Sequence, residues 1–567
     1  MGLATIPAVI NGRQVEVPPG TTILQAAALI GVDIPTLCYL PGKPPLTSCF
    51  VCVVKVTNRD GRADIRPACA TPITEPVEID TRSADIEALR REAIELLLAY
   101  HLGDCLAPCQ LACPLRCDIP TLLGLVRRHE LGQAVRLLRQ QAGLAHFLAH
   151  VCSSPCEKAC RRAQWDDGLA IRSLCHALVH WQKDVAAPEN TPAPPPQGRR
   201  VLIVGAGPTG LSAAWHLGLL GYEVVIREKA SGPSAAWLQS QAGHSAGASP
   251  TAEPAWVALE QDLQIVLASG VKIRWNDPLL AEELPERLLC DWDAVLLACG
   301  TEAAKIAAAW GLAVEGQLVA VDKTSWQTSR AGIFAAGSAV YGKTSPLRRV
   351  ADGKHAAWAL ASYLQQGKNT TAENKFVFRA GRLSKEELAV LAQVASSASR
   401  QEIALPASGE SASWEATIEQ LVNEADRCFR CACVAAGHCK LRQLAAQLGA
   451  DPRRFAGHRL PLAQIDPHGP IVYEPRKCVL CGRCVAVAKE TSTVAGLTFV
   501  GRGFETRVGT PFNQSFAQAL GAAGEACVAV CPTGALYFHK EPPKVERPSS
   551  TVAAEAGHNS PGKTKNA

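Results

Sequence analysis

Residues 101–120 (HLGDCLAPCQLACPLRCDIP) and residues 150–175 (HVCSSPCEKACRRAQWDDGLAIRSLC) decide how this chain is organised. Together they hold eight cysteines and His101. Most of the thiols recur every fourth residue, and such positions share one face of a helical turn. Prolines such as Pro108 and Pro155 interrupt any regular helix, however, and steps of four residues drift around a helix axis. We therefore expect these thiols to supply two metal clusters with interleaved ligands.

The pattern C-x3-C-x3-C-P, followed by VC-x3-C-x3-C-R-R, resembles the N-terminal helical iron–sulphur domain of the glutamate synthase small subunit and dihydropyrimidine dehydrogenase family. The resemblance implies two [4Fe-4S] clusters with crossed ligands. The first would take Cys105, Cys109 and Cys160, and the second would take Cys113, Cys152 and Cys156. The helical domain that holds them is predicted to span residues 83–185.

The fourth ligand of each cluster departs from the family pattern. His101 precedes Cys105 by four residues, and HLGDC also resembles the start of the complex I cluster that is held by one histidine and three cysteines. We predict that His101 completes the first cluster and Cys175 the second, which leaves Cys117 over. The alternative for His101 is a helix cap after Tyr100, where a histidine suits the helix dipole.

Length and charge bound the class of protein. At 567 residues the chain should hold three or more domains. A formal charge of +5 is small for this length, and metal-bound thiolates would offset it, so no nucleic-acid surface is expected. Twenty-three cysteines in so long a chain favour metal sites over a secreted disulfide scaffold. No leader and no run of 18 apolar residues is visible, so we expect a cytoplasmic protein without membrane insertion.

Residues 1–82 carry four cysteines in C-x10-C-x2-C-x16-C order, namely Cys38, Cys49, Cys52 and Cys69. Mixed short and long spacing suits a [2Fe-2S] centre better than a zinc ribbon, whose cysteines come in two close pairs. The segment resembles the β-grasp [2Fe-2S] domain of the large complex I subunit and of multidomain [FeFe]-hydrogenases. That resemblance implies that all four cysteines are ligands.

After a proline-rich linker at 186–198, residues 199–368 begin with RRVLIVGAGPTGLSAAWHLGLLGYEVVIREK. A strand, a glycine turn, a helix and a second strand ending in an acidic residue form the dinucleotide-binding fingerprint. Its residues are Gly205, Gly207, Gly210 and Glu228. The segments at 293–301 and 332–340, the latter with Gly337, resemble the later FAD motifs of the glutamate synthase family, so FAD is the expected cofactor.

Two features oppose a complete flavoenzyme. About thirty residues separate the two later motifs, and no second fingerprint for a pyridine nucleotide occurs in the chain. Ser338 also stands where the family carries an aspartate. The alternative is a vestigial Rossmann domain that serves only as a scaffold. Cys290 and Cys299 are interpreted as small buried apolar residues.

The C-terminal third contains two further cysteine sets. At 420–450, four close cysteines predict either a zinc or another iron–sulphur cluster, with an unoccupied or redox-active set as the alternative: Cys428, Cys431, Cys433 and Cys439. Residues 465–540 resemble the double-cluster ferredoxin domain of [FeFe]-hydrogenases. There one [4Fe-4S] cluster would take Cys478, Cys481, Cys484 and Cys531, while a second is lost because Ala488, Gly521 and Gly524 replace its ligands and leave only Cys527. A polar tail at 541–567 is predicted to be disordered.

These segments predict a multidomain α+β and α/β protein: a β-grasp ferredoxin, a helical double-cluster domain, a Rossmann-like FAD domain without an NADPH domain, and a C-terminal ferredoxin-like domain. We expect an electron-transfer iron–sulphur flavoprotein subunit, with three [4Fe-4S] clusters besides the [2Fe-2S] centre. By resemblance, its partners would be a soluble electron carrier and a catalytic subunit such as a formate dehydrogenase, a hydrogenase or an NAD(P)H-oxidising subunit. The alternatives are a self-contained NAD(P)H:acceptor oxidoreductase and a non-enzymatic cluster scaffold. Chain order suggests that the flavin lies between the helical domain and the terminal ferredoxin domain.

Overall fold

The computed structural model describes residues 5–185, 195–232, 255–366, 376–405, 411–455, 460–491 and 496–539. These residues form a multidomain α+β and α/β protein with ferredoxin-like parts and a Rossmann-like part, which confirms the predicted fold class. The predicted tail at 541–567 and most of the linker at 186–198 lie outside the described residues. No helix in the described ranges is both long and apolar enough to span a bilayer.

The N-terminal part is a five-stranded sheet with one helix. Its elements are β1 (Ile6–Ile10), β2 (Arg13–Val17), α1 (Ile23–Leu29), β3 (Val53–Thr57), β4 (Ala63–Pro67) and β5 (Val77–Asp80). The strand order is β2-β1-β5-β3-β4, in which β1 and β5 are parallel and the other neighbours are antiparallel. Thr22 and Gln25 form a reciprocal capping box that starts α1. This is the arrangement expected of a β-grasp ferredoxin.

Seven helices follow. They are α2 (Ala84–Tyr100), α3 (Pro108–Ala112), α4 (Ile119–Arg127), α5 (Leu131–Ala142), α6 (Ala145–Val151), α7 (Pro155–Lys158) and α8 (Ile171–Val185). Pro108, Pro120 and Pro155 stand in the first turns of α3, α4 and α7, where a missing N–H leaves no hydrogen bond unmade. The prolines thus divide the cysteine-rich stretch into short helices, and the thiols near their ends can face different partners.

The Rossmann-like part is a parallel sheet flanked by helices. Its elements are β6 (Arg200–Val204), α9 (Pro208–Leu219), β7 (Glu223–Arg227), α10 (Ala255–Ala268), β8 (Lys272–Arg274), α11 (Pro285–Asp291), β9 (Ala294–Leu297), α12 (Ala303–Ala309), β10 (Val314–Glu315), β11 (Leu318–Val319), β12 (Ile333–Ala335), α13 (Ser338–Tyr341) and α14 (Pro346–Gln366). The strand order is β12-β9-β6-β7-β8. A short 3-10 helix (Gly300–Glu302), α12 and a hairpin of two-residue strands lie between β9 and β12, so residues 255–366 contain no second nucleotide-binding sheet.

The helical and Rossmann-like parts share one apolar core, which runs from Ala107 through Phe147 to Val350. Polar contacts cross the same boundary. The Nζ of Lys354, on α14, donates to the carbonyls of Leu115 and Gln141 at 2.8 and 2.7 Å. These two parts are therefore packed as one body.

The remaining elements complete the C-terminal part. They are α15 (Lys385–Ala392), α16 (Ser411–Asp426), α17 (Lys440–Gln447), β13 (Ile471–Tyr473), α18 (Arg483–Thr491), β14 (Thr498–Val500), β15 (Arg507–Gly509), α19 (Phe516–Leu520), α20 (Gly524–Ala529) and β16 (Leu536–Phe538). Helix α16 returns to pack on α4 and α8. Its last turn is fixed by the buried pair of Glu424 and Arg427, with the carboxylate also accepting from the N–H of Ala170 at 2.8 Å.

The long segment that contains the helical and Rossmann-like parts begins and ends at one place in the structure. Asp104 and Ala432 form a parallel β-bridge, and the N–H of Cys433 donates to the carbonyl of Asp104 at 2.9 Å. Just before this junction, the N–H of Leu102 donates to the carbonyl of Arg476 in the C-terminal part at 3.0 Å. Residues 105–432 are thus an insertion into a unit built by the two ends of the chain.

Candidate metal and flavin centres

The first group of thiols is the [2Fe-2S] group: Cys38, Cys49, Cys52 and Cys69. All four are buried between the sheet and the loop after α1. A hydrogen bond with Cys49 lowers the pKa of Cys38 to about 5, and one with Cys69 lowers the pKa of Cys52 to about 7. The structure brings the four predicted ligands together, and two of them already favour the thiolate form that iron binds.

His101 begins a second group. It follows α2 directly and is buried, with its ring set edge-on to Phe378 at a centroid distance of 6.3 Å. Burial lowers the pKa of His101 to about 4, and the charge of Lys477 adds to this, so the ring is neutral. In the neutral ring, Nδ1–H donates to the carbonyl of Lys477 at 3.1 Å. The other nitrogen, Nε2, is then the acceptor, which is how metal-binding histidines are commonly held.

The thiols that accompany His101 come from both sides of the insertion. Burial raises the pKa of Cys439 to about 12, and the nearby thiols of Cys433 and Cys105 raise it further. Cys105 is tied to Phe378, whose carbonyl accepts from the Cys105 N–H at 3.1 Å. We place His101 with these three thiols because its ring lies edge-on to Phe378, and we call His101, Cys105, Cys433 and Cys439 the His101 group. A Cβ added at Gly534 would lie 2.5 Å from the Cys433 sulphur, so this wall of the group requires glycine.

A third set, the Cys109 group, consists of Cys109, Cys160, Cys428 and Cys431. Burial raises the pKa of Cys109 well above its usual value, and the thiols of Cys431, Cys160 and Cys428 raise it further. The pKa of Cys431 is raised in the same way by burial and by Cys428. Such thiols stay protonated unless a cation stabilises their thiolates, which is the property of a cluster site.

The Cys113 group consists of Cys113, Cys152, Cys156 and Cys175, with Cys117 beside it. Burial raises the pKa of Cys156, with Cys175, Cys152 and Cys113 as its thiol neighbours. A hydrogen bond with Cys117 is the main cause that lowers the pKa of Cys113 to about 6. Cys117, expected to be left over, is therefore an immediate neighbour of this group.

These groupings differ from the sequence-based ones in two respects. The four cysteines predicted to share one site at 420–450 belong to two groups. Ala432 pairs with Asp104, so Cys428 and Cys431 before it lie in the Cys109 group, and Cys433 and Cys439 after it lie in the His101 group. His101 and Cys105 were predicted to join Cys109 and Cys160, but the thiols beside Cys105 are Cys433 and Cys439. The C-x2-C pair at Cys428 and Cys431 takes their place beside Cys109.

The Cys478 group is the last: Cys478, Cys481, Cys484 and Cys531. Burial raises the pKa of Cys481 to about 12, with Cys478 and Cys531 as its thiol neighbours. The chain is closely packed at two of the positions where the ferredoxin family carries further cluster ligands. Ala488 is fully buried, and a Cβ at Gly524 would lie 2.7 Å from the side chain of Ile471. Cys527 is buried there, and its thiol donates to the carbonyl of Cys484 at 3.5 Å.

The groups follow one another through the molecule. One apolar core contains Cys38 and Cys49 of the [2Fe-2S] group, Cys439 of the His101 group and Cys481 of the Cys478 group. Chain neighbours then link the His101 group to the Cys109 group, since Cys431 and Cys433 are two residues apart. The C-terminal ferredoxin part therefore lies beside the [2Fe-2S] part, and chain order gave a wrong expectation of its position.

The Rossmann-like part has a cavity of about 350 Å³ at the carboxyl end of its sheet. Gly205, Gly207, Glu228 and Ser338 line it, as does Arg349. The Nε of Arg349 is buried and makes no hydrogen bond to the described residues. An unpartnered guanidinium beside a helix N-terminus suits the pyrophosphate of a dinucleotide such as FAD.

Some of the residues predicted to bind the cofactor shape the cavity from behind and do not line it. The carboxylate of Glu228 accepts from the N–H groups of Ala206 and Ala230 at 2.6 and 2.9 Å, so it fixes the glycine turn. Gly210 and Gly337 do not line the cavity. A Cβ on Gly210 would collide with the carbonyl of Gly205, and one on Gly337 with Thr209, so both glycines allow close packing behind the cavity.

Gly207 provides a test of this cavity. Its φ of −72° suits any residue, and a Cβ there meets no atom within 4 Å. We expect Gly207→Val to leave the fold and the iron content unchanged while it lowers flavin affinity at least about tenfold, or about 1.4 kcal/mol, because the side chain fills dinucleotide space. Gly232→Val, also without near neighbours and outside the cavity lining, is the control. Acid-released flavin per chain measures both, and equal flavin in the two variants would contradict the assignment.

Cys290 and Cys299 belong to none of these groups, and they differ in solvent exposure. Cys290 is exposed on α11, which corrects its interpretation as a buried apolar residue. Cys299 is half-buried and lines the flavin cavity, and burial raises its pKa to about 12. It is therefore a neutral thiol.

Four segments match known families. Residues 4–84 match the 2Fe-2S iron-sulfur cluster binding domain, and residues 100–186 match dihydropyrimidine dehydrogenase domain II, 4Fe-4S cluster. Residues 171–362 match pyridine nucleotide-disulphide oxidoreductase, and residues 469–537 match the ferredoxin-like domain of NADH-quinone oxidoreductase subunit 3. These matches confirm the predicted classes of cofactor domain.

Curated relatives match parts of the chain. The NADP(+)-dependent formate dehydrogenase subunit beta of Moorella thermoacetica is 31% identical over 219 residues, which are 35% of this chain and 30% of that protein. The NADPH-Fe(3+) oxidoreductase subunit beta of Geobacter sulfurreducens is 31% identical over 204 residues, 35% of this chain and 29% of that protein. The NADP-reducing hydrogenase subunit HndD of Solidesulfovibrio fructosivorans is 40% identical over 127 residues, 22% of this chain and 20% of that protein.

The chain thus spans less than a third of the length of each of these relatives. Together the segment matches show a chain that contains a 2Fe-2S domain, a 4Fe-4S domain similar to dihydropyrimidine dehydrogenase domain II, a domain similar to pyridine nucleotide-disulphide oxidoreductases and a C-terminal ferredoxin-like domain.

Proposed function

We propose that this chain is an electron-transfer iron–sulphur flavoprotein subunit of a larger cytoplasmic oxidoreductase. The observation that carries the proposal is the unbroken series of thiol groups between the flavin cavity and the two ferredoxin-type parts. Such a series suits a chain whose task is to hold redox groups at set positions.

We assign one cluster to each thiol group. The [2Fe-2S] centre takes Cys38, Cys49, Cys52 and Cys69. Four [4Fe-4S] clusters take the other sets: His101, Cys105, Cys433 and Cys439; Cys109, Cys160, Cys428 and Cys431; Cys113, Cys152, Cys156 and Cys175; and Cys478, Cys481, Cys484 and Cys531. The fit is supported by buried thiols of raised pKa that face one another in each [4Fe-4S] set.

Helix α14 connects the flavin cavity to the nearest cluster site. Arg349 lines the cavity, and Lys354, five residues later, lies close enough to the Cys113 group for Cys117 and Cys113 to influence its pKa. Five residues of α-helix advance about 7.5 Å along the axis. A bound flavin takes up electrons in pairs and gives them up singly, and the Cys113 group is the site where single electrons would be received.

From the Cys113 group, the order of sites is the Cys109 group, the His101 group and then the two ferredoxin-type parts. Residues at or near both ends of the insertion supply ligands to the Cys109 and His101 groups. These two clusters would therefore connect the flavin-binding part to the ferredoxin-type parts at the place where the insertion begins and ends. The exposed ferredoxin parts would meet the partners. By similarity to the named relatives, these are a catalytic formate dehydrogenase, hydrogenase or NAD(P)H-oxidising subunit, together with a soluble electron carrier.

The experiment that tests this function is anaerobic mixing of the flavin-loaded full chain with NADPH or NADH. We expect neither nucleotide to bleach the flavin within minutes, because residues 255–366 lack a second nucleotide-binding sheet. Dithionite should reduce both the flavin and the clusters in the same sample. Stoichiometric bleaching by NADPH would instead favour the self-contained oxidoreductase, and full iron without any bound FAD would favour a cluster scaffold.

A further inference from the structure

Three histidines on two adjacent helices meet outside the cysteine groups. His150 lies on α6, and His176 and His180 lie one turn apart on α8. One ring nitrogen from each comes within 4.8 Å of the others. Their rings contact edge to face, with centroid distances of 5.2 Å between His150 and His176 and 4.6 Å between His176 and His180.

The packing of α6 against α8 fixes this arrangement. Positions i and i+4 share a helix face, so the H-x3-H spacing of His176 and His180 presents both rings to α6. The Nε2 of His176 is buried and makes no hydrogen bond to the described residues.

We propose that His150, His176 and His180 bind one divalent zinc ion, at a site separate from every iron–sulphur cluster. Three imidazoles and one water complete the tetrahedral shell that zinc prefers. All three side chains are half-buried, which leaves a path for the ion and room for the water. Ligands about 2.0–2.1 Å from a tetrahedral zinc lie roughly 3.3 Å apart, so small ring rotations suffice from the observed geometry.

Neighbouring groups support the three ligands. The Nδ1–H of His146, one turn before His150, donates to the carboxylate of Asp262 at 2.9 Å, and its ring centroid lies 6.5 Å from that of His180. Arg172 is the nearby cation, but its Nη2 donates to the carbonyl of His150 at 2.8 Å. The guanidinium is thereby held against the end of α6.

A bound zinc ion would connect two segments that carry cysteines of the Cys113 group. His150 precedes Cys152 by two residues, and His176 follows Cys175 directly. An ion shared by α6 and α8 would therefore hold these two segments at a fixed separation. The zinc site itself does not depend on the flavin or on the proposed function.

The test uses the full chain with its clusters assembled anaerobically, dialysed against Zn²⁺ at low micromolar concentration. We expect about one zinc per chain by mass spectrometry of the metals. The zinc K-edge absorption fine structure should show nitrogen or oxygen neighbours at about 2.0–2.1 Å and no sulphur at about 2.3 Å. This signal is specific to zinc, so the iron does not interfere.

Variants separate this site from zinc bound elsewhere. His176→Ala and, as a milder change, His180→Gln should each lower zinc affinity at least tenfold while the iron content and visible spectrum stay those of the parent chain. His468→Ala removes an exposed histidine far from this group in sequence and should bind zinc normally. Sulphur neighbours around the zinc, or equal zinc binding in the His180→Gln and His468→Ala chains, would overturn the proposal.

Discussion

Cys428→Ser and Cys439→Ser are expected to remove two different [4Fe-4S] clusters, each with a loss of about four iron atoms per chain. Cys428 faces the Cys109 group, whereas Cys439 faces the His101 group. Because serine is a poor replacement for a buried thiolate ligand, each variant should lose its own cluster and keep the other. The double variant should lose both, which is about eight iron atoms.

Iron and acid-labile sulphide per chain measure these losses, and electron paramagnetic resonance of the reduced samples identifies which signals have gone. Cys290→Ser is the control, because Cys290 is exposed and belongs to no group. If Cys428 and Cys439 served one shared site, the two single variants and the double variant would lose the same single centre. That outcome would reject the division of these four cysteines.

Asp104→Ala is expected to destabilise the chain by about 3–5 kcal/mol, because it leaves a buried cation unpaired. Asp104 is buried at the junction of the insertion, and its carboxylate accepts from the Nε of Arg161 at 2.8 Å and from the N–H of Ala380 at 2.9 Å. Arg161 is itself buried, so water cannot replace the lost carboxylate. Because Cys105 is the next residue, we expect the cluster of the His101 group to be lost at a lower denaturant concentration than in the parent chain.

Anaerobic denaturant titration, followed by the loss of visible cluster absorbance and of helical circular dichroism, measures this effect. Asp64→Ala is a matched control, since Asp64 pairs with Arg66 at 3.2 Å on the surface. Such an exposed pair contributes about 0–1 kcal/mol. Equal midpoints for the Asp104 and Asp64 variants would contradict a structural role for the junction.

The parts that could be predicted from the sequence are those whose ligands lie close together along the chain. The [2Fe-2S] group is contained within 32 residues between Cys38 and Cys69, and one β-grasp sheet positions it. Three of the four cysteines in the Cys478 group fall within one C-x2-C-x2-C motif. The Rossmann fingerprint likewise joins a strand, a turn and a helix that are consecutive, so local rules describe it.

The middle two groups required knowledge of the tertiary structure. Cys105 and Cys433 are more than 300 residues apart in the chain, and the bridge between Asp104 and Ala432 brings their segments together. Local spacing instead favoured the neighbours within 428–439. One feature of the sequence did indicate the division. The C-x-C spacing of Cys431 and Cys433 matches no common cluster motif, because the two cysteines belong to different sites.

The histidine group had a signal that spacing rules can detect. H-x3-H occurs twice, at His146 with His150 and at His176 with His180. Each pair places two imidazoles on one helix face. What the sequence alone does not contain is the contact of α6 with α8, which selects three of these four rings for one position.

Native mass spectrometry of the full chain, prepared anaerobically with its clusters and FAD assembled, would count the redox groups that each molecule holds. Mass differences count iron, sulphide and flavin in one spectrum. We expect one [2Fe-2S] cluster, four [4Fe-4S] clusters and one FAD on each chain. A fully loaded chain with only three [4Fe-4S] clusters, or with no FAD, would contradict it.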